Sequence, residues 1–382
     1  MIQIRPFVGT RTRRVASPGS MLELLERAAG AGGGESTRAA SPSAFGLVPE
    51  QLAERGCPGS VNNAFQRLQR PWTWTHVEPP LHQAAARWLV EHTDLRLPEV
   101  ERDVGASDGT TRVVYRSGGD AFEAVHMPRD VRAPRVTMCL SSQVGCGMGC
   151  RFCATASMGL VRNLSAGEIV GQVLATMDRI GPKTSNQLSL VFMGMGEPLH
   201  NVTEVVHAIS TLCHPLGLGL SPRRITVSTS GVVKGIDELA RAPRRPRLAL
   251  SLNATTNPTR TAIMPVNRKW DLAELRAALG RWPFEARERI TVEYVMLAGI
   301  NDADDDVDRL VAWLDGLPHM LNLIPFNPHH AAPGMRASSP ERVSEFAAAL
   351  HAAGCRVTVR VNRGRDVAAA CGQLVVGAGS GR

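Results

Sequence analysis

Four of the chain's eight cysteines lie in one short stretch, CLSSQVGCGMGCRFC, which runs from Cys139 to Cys153. Three of them, Cys146, Cys150 and Cys153, have the spacing Cys-x3-Cys-x2-Cys, and glycines between them let the backbone fold tightly. Three thiolates on a [4Fe-4S] cluster leave one iron uncovered, which can then bind a small chelating ligand. The spacing therefore predicts an iron-sulfur cluster bound by Cys146, Cys150 and Cys153.

The alternative for this segment is a zinc site that a distant residue completes, such as His200 or His214. Zinc knuckles and ribbons usually place their ligands in two pairs, each with a short spacing. The three-plus-two interval differs from that pattern, so we favour the cluster.

A second motif, FMGMGEP, ends a predicted strand and contains Gly196 and Glu197. Backbone polar groups can approach a ligand closely at glycine, and a carboxylate complements an ammonium group. Gly-Glu-Pro is also a common turn, so the motif has meaning only together with the cysteines and the order of elements.

From about residue 134, predicted strands alternate with predicted helices in six units, from RVTMCLSS with SAGEIVGQVLATMDRI to MLNLIPFN with PERVSEFAAALHAAG. Such repeats need parallel strands with crossover helices. We predict an α/β fold, a partial (βα)6 barrel of the TIM type over residues 134–366, with its chemistry at the carboxyl ends of the strands. Ser165 and Glu168 are spaced as a capping box at the first helix. The remaining residues, 367–382, form a tail that contains Cys371.

Residues 1–133 are predicted to form a smaller α+β domain. It contains a helical pattern over residues 20–30, a Gly/Ser-rich flexible connection over 29–46 and a hairpin near 111–127. The turn of the hairpin is placed at Gly118-Gly119. We expect this region to help bind the substrate.

The composition of the 382-residue chain is that of an ordinary globular protein, with a net charge of +8 that comes mainly from arginine. This charge suits a polyanionic partner, although a solvated arginine-rich surface explains it equally well. No stretch has the apolar length needed to cross a bilayer, and the first residues do not form a secretory signal. We therefore expect a cytoplasmic protein without a membrane partner, in a compartment where thiols stay reduced.

The cysteine spacing, the GMGEP segment and the order of elements together resemble the radical SAM superfamily, in which the uncovered iron binds S-adenosylmethionine (SAM). Further motifs over about residues 110–376 are similar to those of the RlmN/Cfr family of RNA adenosine methyltransferases. These motifs are CLSSQVGCGMGCRFC, RNLSAGEIVGQV, MGMGEPLHN, STSGVV, IMPVNRKW, EYVML, NLIPFNP and ACGQL.

The resemblance implies a barrel of the radical SAM kind and two cofactors, a [4Fe-4S] cluster and SAM. It also implies SAM contacts, and the family usually has histidine at the position of Asn253. The implied contacts are Gly196, Glu197, Ser228, Ser251, Leu252, Asn253 and Asn327.

By the same resemblance, Cys371 is the residue that carries a methyl group, Cys139 is the resolving thiol that forms a transient disulfide with it, and Glu123 is the proton acceptor. One SAM methylates Cys371 and a second supplies the radical that activates the methyl group toward adenine. Either Cys139 or Glu123 removes the ring proton. On residue type alone, Cys371 also fits a small core residue and Glu123 a hairpin surface residue.

We therefore expect methylation of an adenine ring carbon, with carbon 2 favoured over carbon 8, in rRNA, tRNA or both, by a monomer that takes electrons from a donor such as flavodoxin or ferredoxin. Two alternatives stay open. One is a radical SAM enzyme that acts on a peptide or small molecule, and the other is a non-catalytic iron-sulfur RNA-binding protein.

Overall fold

The computed structural model describes residues 41–70, 81–129, 135–180, 187–360 and 363–375. The predicted helical pattern over 20–30 and residues 29–40 of the predicted flexible connection lie outside these ranges. The end of that connection differs from the prediction, because Ala44–Gly46 forms a buried 3-10 turn. A side chain at Gly46 would lie 2.8 Å from the backbone nitrogen of Gly167, so two glycines allow this turn to pack directly on a helix.

One sheet of ten strands organises the molecule, and its strands follow each other in space in their order along the chain. A separate two-stranded sheet contains β5, Gln143–Gly145, and β6, Leu160–Asn163. The strands of the large sheet are β1 Glu99–Gly105, β2 Thr111–Ser117, β3 Asp120–Arg129, β4 Arg135–Cys139, β7 Leu188–Phe192, β8 Ile225–Thr229, β9 Arg247–Ser251, β10 Ile290–Met296, β11 His319–Pro325 and β12 Val357–Val359.

Strands β4 and β7 to β12 are parallel neighbours in sequence order. Because such crossovers are right-handed, consecutive strands in this order place all their helices on one face of the sheet, as in a barrel. The sheet continues past β4 into antiparallel strands and ends at β12, so the barrel is open. The predicted fold class is confirmed.

Ten α-helices lie in the described ranges, and six of them follow the strands of the predicted units. Ser165 and Glu168 form the expected capping box, with Ser165 N to Glu168 Oε2 at 2.9 Å and Glu168 N to Ser165 Oγ at 3.2 Å. The helices are α1 Pro49–Glu54, α2 Val61–Leu68, α3 Gln83–His92, α4 Ala166–Ile180, α5 Val202–Leu212, α6 Val233–Ala240, α7 Asn257–Ile263, α8 Leu272–Gly280, α9 Asp304–Leu314 and α10 Pro340–Ala352.

Helix α7 is an addition to the predicted pattern, since it lies between β9 and the crossover helix α8. Proline in its first turn and Thr256 at its N-cap, which accepts a hydrogen bond from Thr259 N, explain why so short a helix forms. In the described ranges no helix is long and apolar enough to cross a membrane.

Strands β2 and β3 form the expected hairpin, and Gly118 and Gly119 at its turn have φ of +59° and +88°. Such positive φ values at both central residues are those of a tight hairpin turn, which favours glycine. Strand β3 then pairs with β4, with Val125 opposite Cys139. One sheet therefore contains strands from both sides of the domain boundary that the sequence suggested at residue 133.

Candidate active site

The cysteine loop, residues 146–153, follows β5 at the carboxyl end of the barrel strands. Glycine is required at the last residue of β5, immediately before this loop. Gly145 has φ +71°, and a side chain there would collide with the carbonyl oxygen of Gly159, which accepts a hydrogen bond from Cys146 N at 2.7 Å. On the opposite side of the loop, Arg151 N donates to Ile263 O at 2.9 Å. The loop is thus fixed between the β5–β6 hairpin and helix α7.

The three predicted ligands lie close enough together for their thiols to interact electrostatically. Burial raises the pKa of the Cys146 thiol to about 12, and Cys153 contributes in the same direction. Burial also raises the pKa of Cys150, with further contributions from Cys153 and Cys146. Without a metal, the thiols of Cys146 and Cys150 are therefore protonated at neutral pH, and cluster binding must displace their protons.

Among the described residues, no three His, Cys, Asp or Glu side chains are arranged to hold one metal ion. A mononuclear zinc site requires such an arrangement. In a cubane each thiolate binds a different iron, so its ligands do not have to meet at one ion.

Gly196 and Glu197 follow β7 next to the cysteine loop. Gly196 has φ +101°, and a side chain there would lie 2.8 Å from Gln143 N. The Glu197 carboxylate is buried, with Oε2 accepting from Ser230 N at 2.8 Å and from Ser230 Oγ at 2.7 Å. Its Oε1 accepts from Leu199 N at 3.1 Å. The side chain of Glu197 is therefore held in one orientation by its neighbours at the strand ends.

Ser228 and Ser251 share a partner that the sequence analysis did not identify. Ser228 Oγ donates to Glu293 Oε2 at 3.1 Å, and Ser251 Oγ lies 3.5 Å from the same oxygen. Burial raises the pKa of Glu293, while Arg360, whose Nη1 is 3.8 Å from Glu293 Oε1, opposes this effect. The two predicted SAM contacts thus belong to a polar network around Glu293.

Asn253 and Asn327 occupy different environments. Asn253 has φ +58°, and its Oδ1 accepts from Val295 N at 2.8 Å while its Nδ2 faces Met264 Sδ at 3.3 Å. Its carboxamide is therefore engaged within the protein. Leu252 is fully buried, and its backbone nitrogen donates to Glu293 O at 3.0 Å.

In the described part of the chain, the polar atoms that are buried without a hydrogen-bond partner include Asn327 Oδ1 and Ser142 Oγ, which lie near these strand ends. Buried polar groups are nearly always hydrogen-bonded, so such atoms indicate a missing ligand or water. Asn327 is one of the predicted SAM contacts. The residues present therefore fit a polar ligand such as SAM at this end of the barrel.

Cys139 and Cys371 are brought together although they lie far apart in sequence. Cys139 ends β4, and both thiols are free. Burial raises the pKa of Cys139 to about 12, the neighbouring Cys371 adds to this shift, and Arg360 opposes it. Burial also raises the pKa of Cys371, and the groups that interact with it are Arg360, Glu293 and Cys153.

The tail that carries Cys371 is docked on the cysteine loop and on the hairpin. Ala154 N donates to Gly372 O at 2.7 Å, and Thr155 Oγ1 donates to Leu374 O at 2.6 Å. On the other side, Val375 N donates to Glu123 Oε2 at 3.1 Å. These hydrogen bonds place Cys371 beside the cysteine loop.

Glu123 is not the exposed hairpin residue that its sequence position allowed, since its exposed fraction is 0%. Its Oε1 lies 3.5 Å from Arg112 Nη1. Burial raises the pKa of Glu123, while Arg112 and the Val375 amide act in the opposite direction. A buried carboxylate with a raised pKa, next to a docked tail, is suited to accept a proton.

Glu293, Arg360 and Arg260 also lie within or beside this site, although the sequence did not predict them. Glu293 and Arg360 are charged residues that interrupt apolar positions in the strand patterns RITVEYVML and RVTVRVNRG, which was the available signal. Arg260 lies in a helix that the sequence pattern did not predict.

Comparison with known proteins gives three results. The family model of the radical SAM superfamily matches residues 140–314. Proteins named dual-specificity RNA methyltransferase RlmN are similar to the chain, one from Cereibacter sphaeroides at 46% identity over 86% of this chain and 88% of the relative. Another, from Acidiphilium cryptum, is 47% identical over 86% of this chain and 87% of the relative.

A solved structure, that of a radical SAM methyltransferase from Sphaerobacter thermophilus, is also similar. It is 38% identical, covers 87% of this chain and 99% of the other, and has a TM-score of 0.78. The similarity therefore extends over most of the chain.

Proposed function

Because this chain belongs to the RlmN family of radical SAM RNA methyltransferases, we propose that it methylates carbon 2 of an adenine in rRNA or tRNA. The proposal rests mainly on two thiols, those of Cys139 and Cys371, which lie far apart in sequence but close together beside the cysteine loop. A radical SAM enzyme that acts on a peptide or small molecule has no general need for this pair.

The cofactors of the enzyme are a [4Fe-4S] cluster and SAM. We propose that Cys146, Cys150 and Cys153 hold the cluster. When bound, the two cofactors supply the 5′-deoxyadenosyl radical that the family chemistry requires. The SAM-binding residues are the seven already named from the resemblance, Gly196, Glu197, Ser228, Ser251, Leu252, Asn253 and Asn327.

Cys371 receives a methyl group from one SAM molecule. A second SAM molecule helps to activate this methyl group, which Cys371 then presents to the adenine ring. Carbon 2 lies between two ring nitrogens and is electron-poor, so it does not attack a methyl group as a nucleophile. After the new carbon–carbon bond forms, the Cys139 thiolate attacks the Cys371 sulfur. The bond between the Cys371 sulfur and the methylene carbon breaks with its electron pair on carbon, and that carbon takes up a proton to give the methylated base. The one electron left over from the radical addition would pass back to the oxidised cluster. A disulfide between Cys139 and Cys371 remains, which cytosolic reductants reverse.

Glu123 is the better candidate to remove the ring proton. Burial holds the pKa of Cys139 at about 12, so its thiolate is scarce at neutral pH. Burial raises the pKa of Glu123, and Arg112 opposes this effect by favouring the ionised carboxylate. The backbone nitrogen of Val375, in the tail, orients the Glu123 carboxylate through a hydrogen bond. The same tail therefore positions both Cys371 and Glu123.

The setting of the reaction follows from this chemistry. A cluster that must be reduced requires an electron donor such as flavodoxin or ferredoxin, and a disulfide that must reopen requires a reducing compartment, the cytoplasm. The excess of arginine supports an RNA partner through phosphate contacts. We propose that the enzyme acts as a monomer.

The test compares nucleosides by mass spectrometry from a strain that lacks the gene and from the same strain carrying the gene. We expect 2-methyladenosine to disappear in the first and return in the second. A C371A copy should fail to restore it, and a C355A copy, altered at a buried cysteine outside the site, should succeed. An unchanged methyladenosine profile on deletion would contradict the proposal, and 8-methyladenosine in place of 2-methyladenosine would change the assigned carbon.

A further inference from the structure

Arg260 is the largest fully buried side chain of the described residues, and the function proposed above gives it no role. It lies on α7, and its guanidinium faces the ends of β8 and β9. Nε donates to Leu252 O at 3.0 Å, and Nη2 donates to Ser230 O at 2.6 Å. Nη1 donates to Asn267 Oδ1 at 3.1 Å. The side chain therefore links the segments that follow two strands of the SAM site.

All of these acceptors are neutral. No carboxylate in the described part of the chain forms an ion pair with Arg260, and Glu197 is connected to it only through Ser230. A buried cation without an anionic partner is costly, so native proteins rarely keep one without a compensating charge. Burial lowers the pKa of Arg260 to about 10, which still leaves the group charged at neutral pH.

The ionisable group that interacts with Arg260 is the thiol of Cys150. Two contacts hold the cysteine loop against the segment of Arg260. Arg151 N donates to Ile263 O, and a side chain at Gly149 would lie 3.4 Å from Pro265 Cγ. Negative charge that arrives at the cysteine loop therefore lies next to this guanidinium.

We propose that Arg260 is the counter-charge of the iron-sulfur cluster, a positioning residue that stabilises the thiolate-bound cluster and favours its reduction. A cubane bound by three thiolates is anionic, and its negative charge grows when it accepts an electron. A fixed cation nearby therefore raises the reduction potential. The inference rests on the cluster assignment made under the proposed function.

Three variants and a control test it. R260Q removes the charge and keeps some hydrogen bonding, R260K keeps the charge without the planar fork, and N267D places a carboxylate against Nη1. R281Q removes an exposed arginine that pairs with Asp237 on the surface. The measurements are iron per chain, the unfolding temperature of the metal-free protein and a redox titration followed by visible absorbance.

We expect R260Q and N267D to make one-electron reduction about tenfold less favourable, which corresponds to a potential lower by ~59 mV. R260K and R281Q should stay close to the parent. A merely structural role would change the unfolding temperature without separating R260Q from R260K in potential.

The possible failures can be distinguished. A parent protein that binds no iron would overturn the cluster assignment and this inference together. A parent with a normal cluster, whose potential R260Q and N267D leave unchanged, would overturn the inference alone. If R260Q folds but binds no iron, iron retention in R260K supports the counter-charge, and equal loss in both variants contradicts it.

Discussion

The strand ends that carry Ser228, Ser251 and Glu293 and the tail that carries Cys371 hold their functional groups in different ways. At the strand ends, neighbouring parallel strands of one sheet position the side chains. The tail is secured instead by a few hydrogen bonds to Ala154, Thr155 and Glu123. We infer that the cofactor side is preorganised by the barrel and that the methyl-transfer side can open without unfolding it.

The largest effect is expected on the cofactor side. In C150A only two of the three cluster thiolates remain, so iron should fall from a full cluster to almost none, as measured by iron analysis and visible absorbance. C355A removes a buried cysteine away from the loop and should keep its iron. Equal iron in C150A and the parent would rule out the cluster assignment.

A corresponding substitution in the tail should distinguish the role of the tail from that of the strand ends. In C371A the cluster absorbance should remain as in the parent while methyl transfer to RNA is lost, because no thiol can carry the methyl group. The control C213A alters a buried cysteine at the end of α5 and should remain active. Undiminished transfer in C371A would remove its role as methyl carrier.

Arg360 interacts with groups of both regions, so its substitution tests how strongly they are coupled. R360Q removes the cation that lowers the pKa of Cys139. A rise of that pKa by one pH unit reduces the thiolate fraction about tenfold at any pH below it. Methyl transfer in R360Q should therefore be slower than in the parent by a constant factor between pH 6 and pH 9, while iron content is kept.

R356Q, which changes an exposed arginine shortly before Arg360, is the matched control for that experiment and should behave as the parent. Equal rates in R360Q and R356Q would show that the cation does not assist the thiols.

A smaller effect is expected from weakening only the docking of the tail. T155V removes the hydrogen bond to Leu374 O, which contributes about 1 kcal/mol and so about fivefold in the docked fraction. Amide hydrogen exchange over residues 370–375 should accelerate, and transfer should slow a few-fold. S157A changes a hydroxyl that bonds within the same turn, to Ala154 O, and should leave exchange in the tail unchanged.

The smallest effect on the two regions is expected from Glu123, whose ionisation changes the stability of the folded protein with pH. Burial raises the pKa of Glu123 in the folded state, so folding favours its protonated form. The parent should therefore lose stability, relative to E123Q, as pH rises from the unfolded pKa of about 4.3 through the raised folded pKa, by about 1.4 kcal/mol for each pH unit that separates the two values. From pH 4 to pH 8 the unfolding temperature of the parent should fall relative to that of E123Q, and parallel curves would contradict the raised pKa.

The sequence predicts the parts of this molecule that depend on local pattern. The six strand-helix units, the β2–β3 hairpin and the capping box of Ser165 and Glu168 follow from periodicity and turn chemistry, and all are present. The cysteine spacing and the family resemblance supplied the candidate site residues, whose roles await the experiments above.

The remaining features depend on contacts between distant residues. The bond between Thr155 and Leu374 spans 219 positions, and that between Glu123 and Val375 spans 252. No local pattern encodes such pairs, so the burial of Glu123 and the environment of Arg260 and Arg360 appear only when the chain is folded. The sequence did not predict the buried turn at Ala44–Gly46 for the same reason, because this turn packs against the distant Gly167.

The pairing of β3 with β4 determines how the chain can be divided in the laboratory. A truncated version that starts at residue 135 would retain every cluster cysteine, yet it would leave the backbone groups of β4 unpaired along one side and discard Glu123. Such a fragment should self-associate through its new edge, so expression trials that aim for a minimal barrel need to begin upstream of the hairpin.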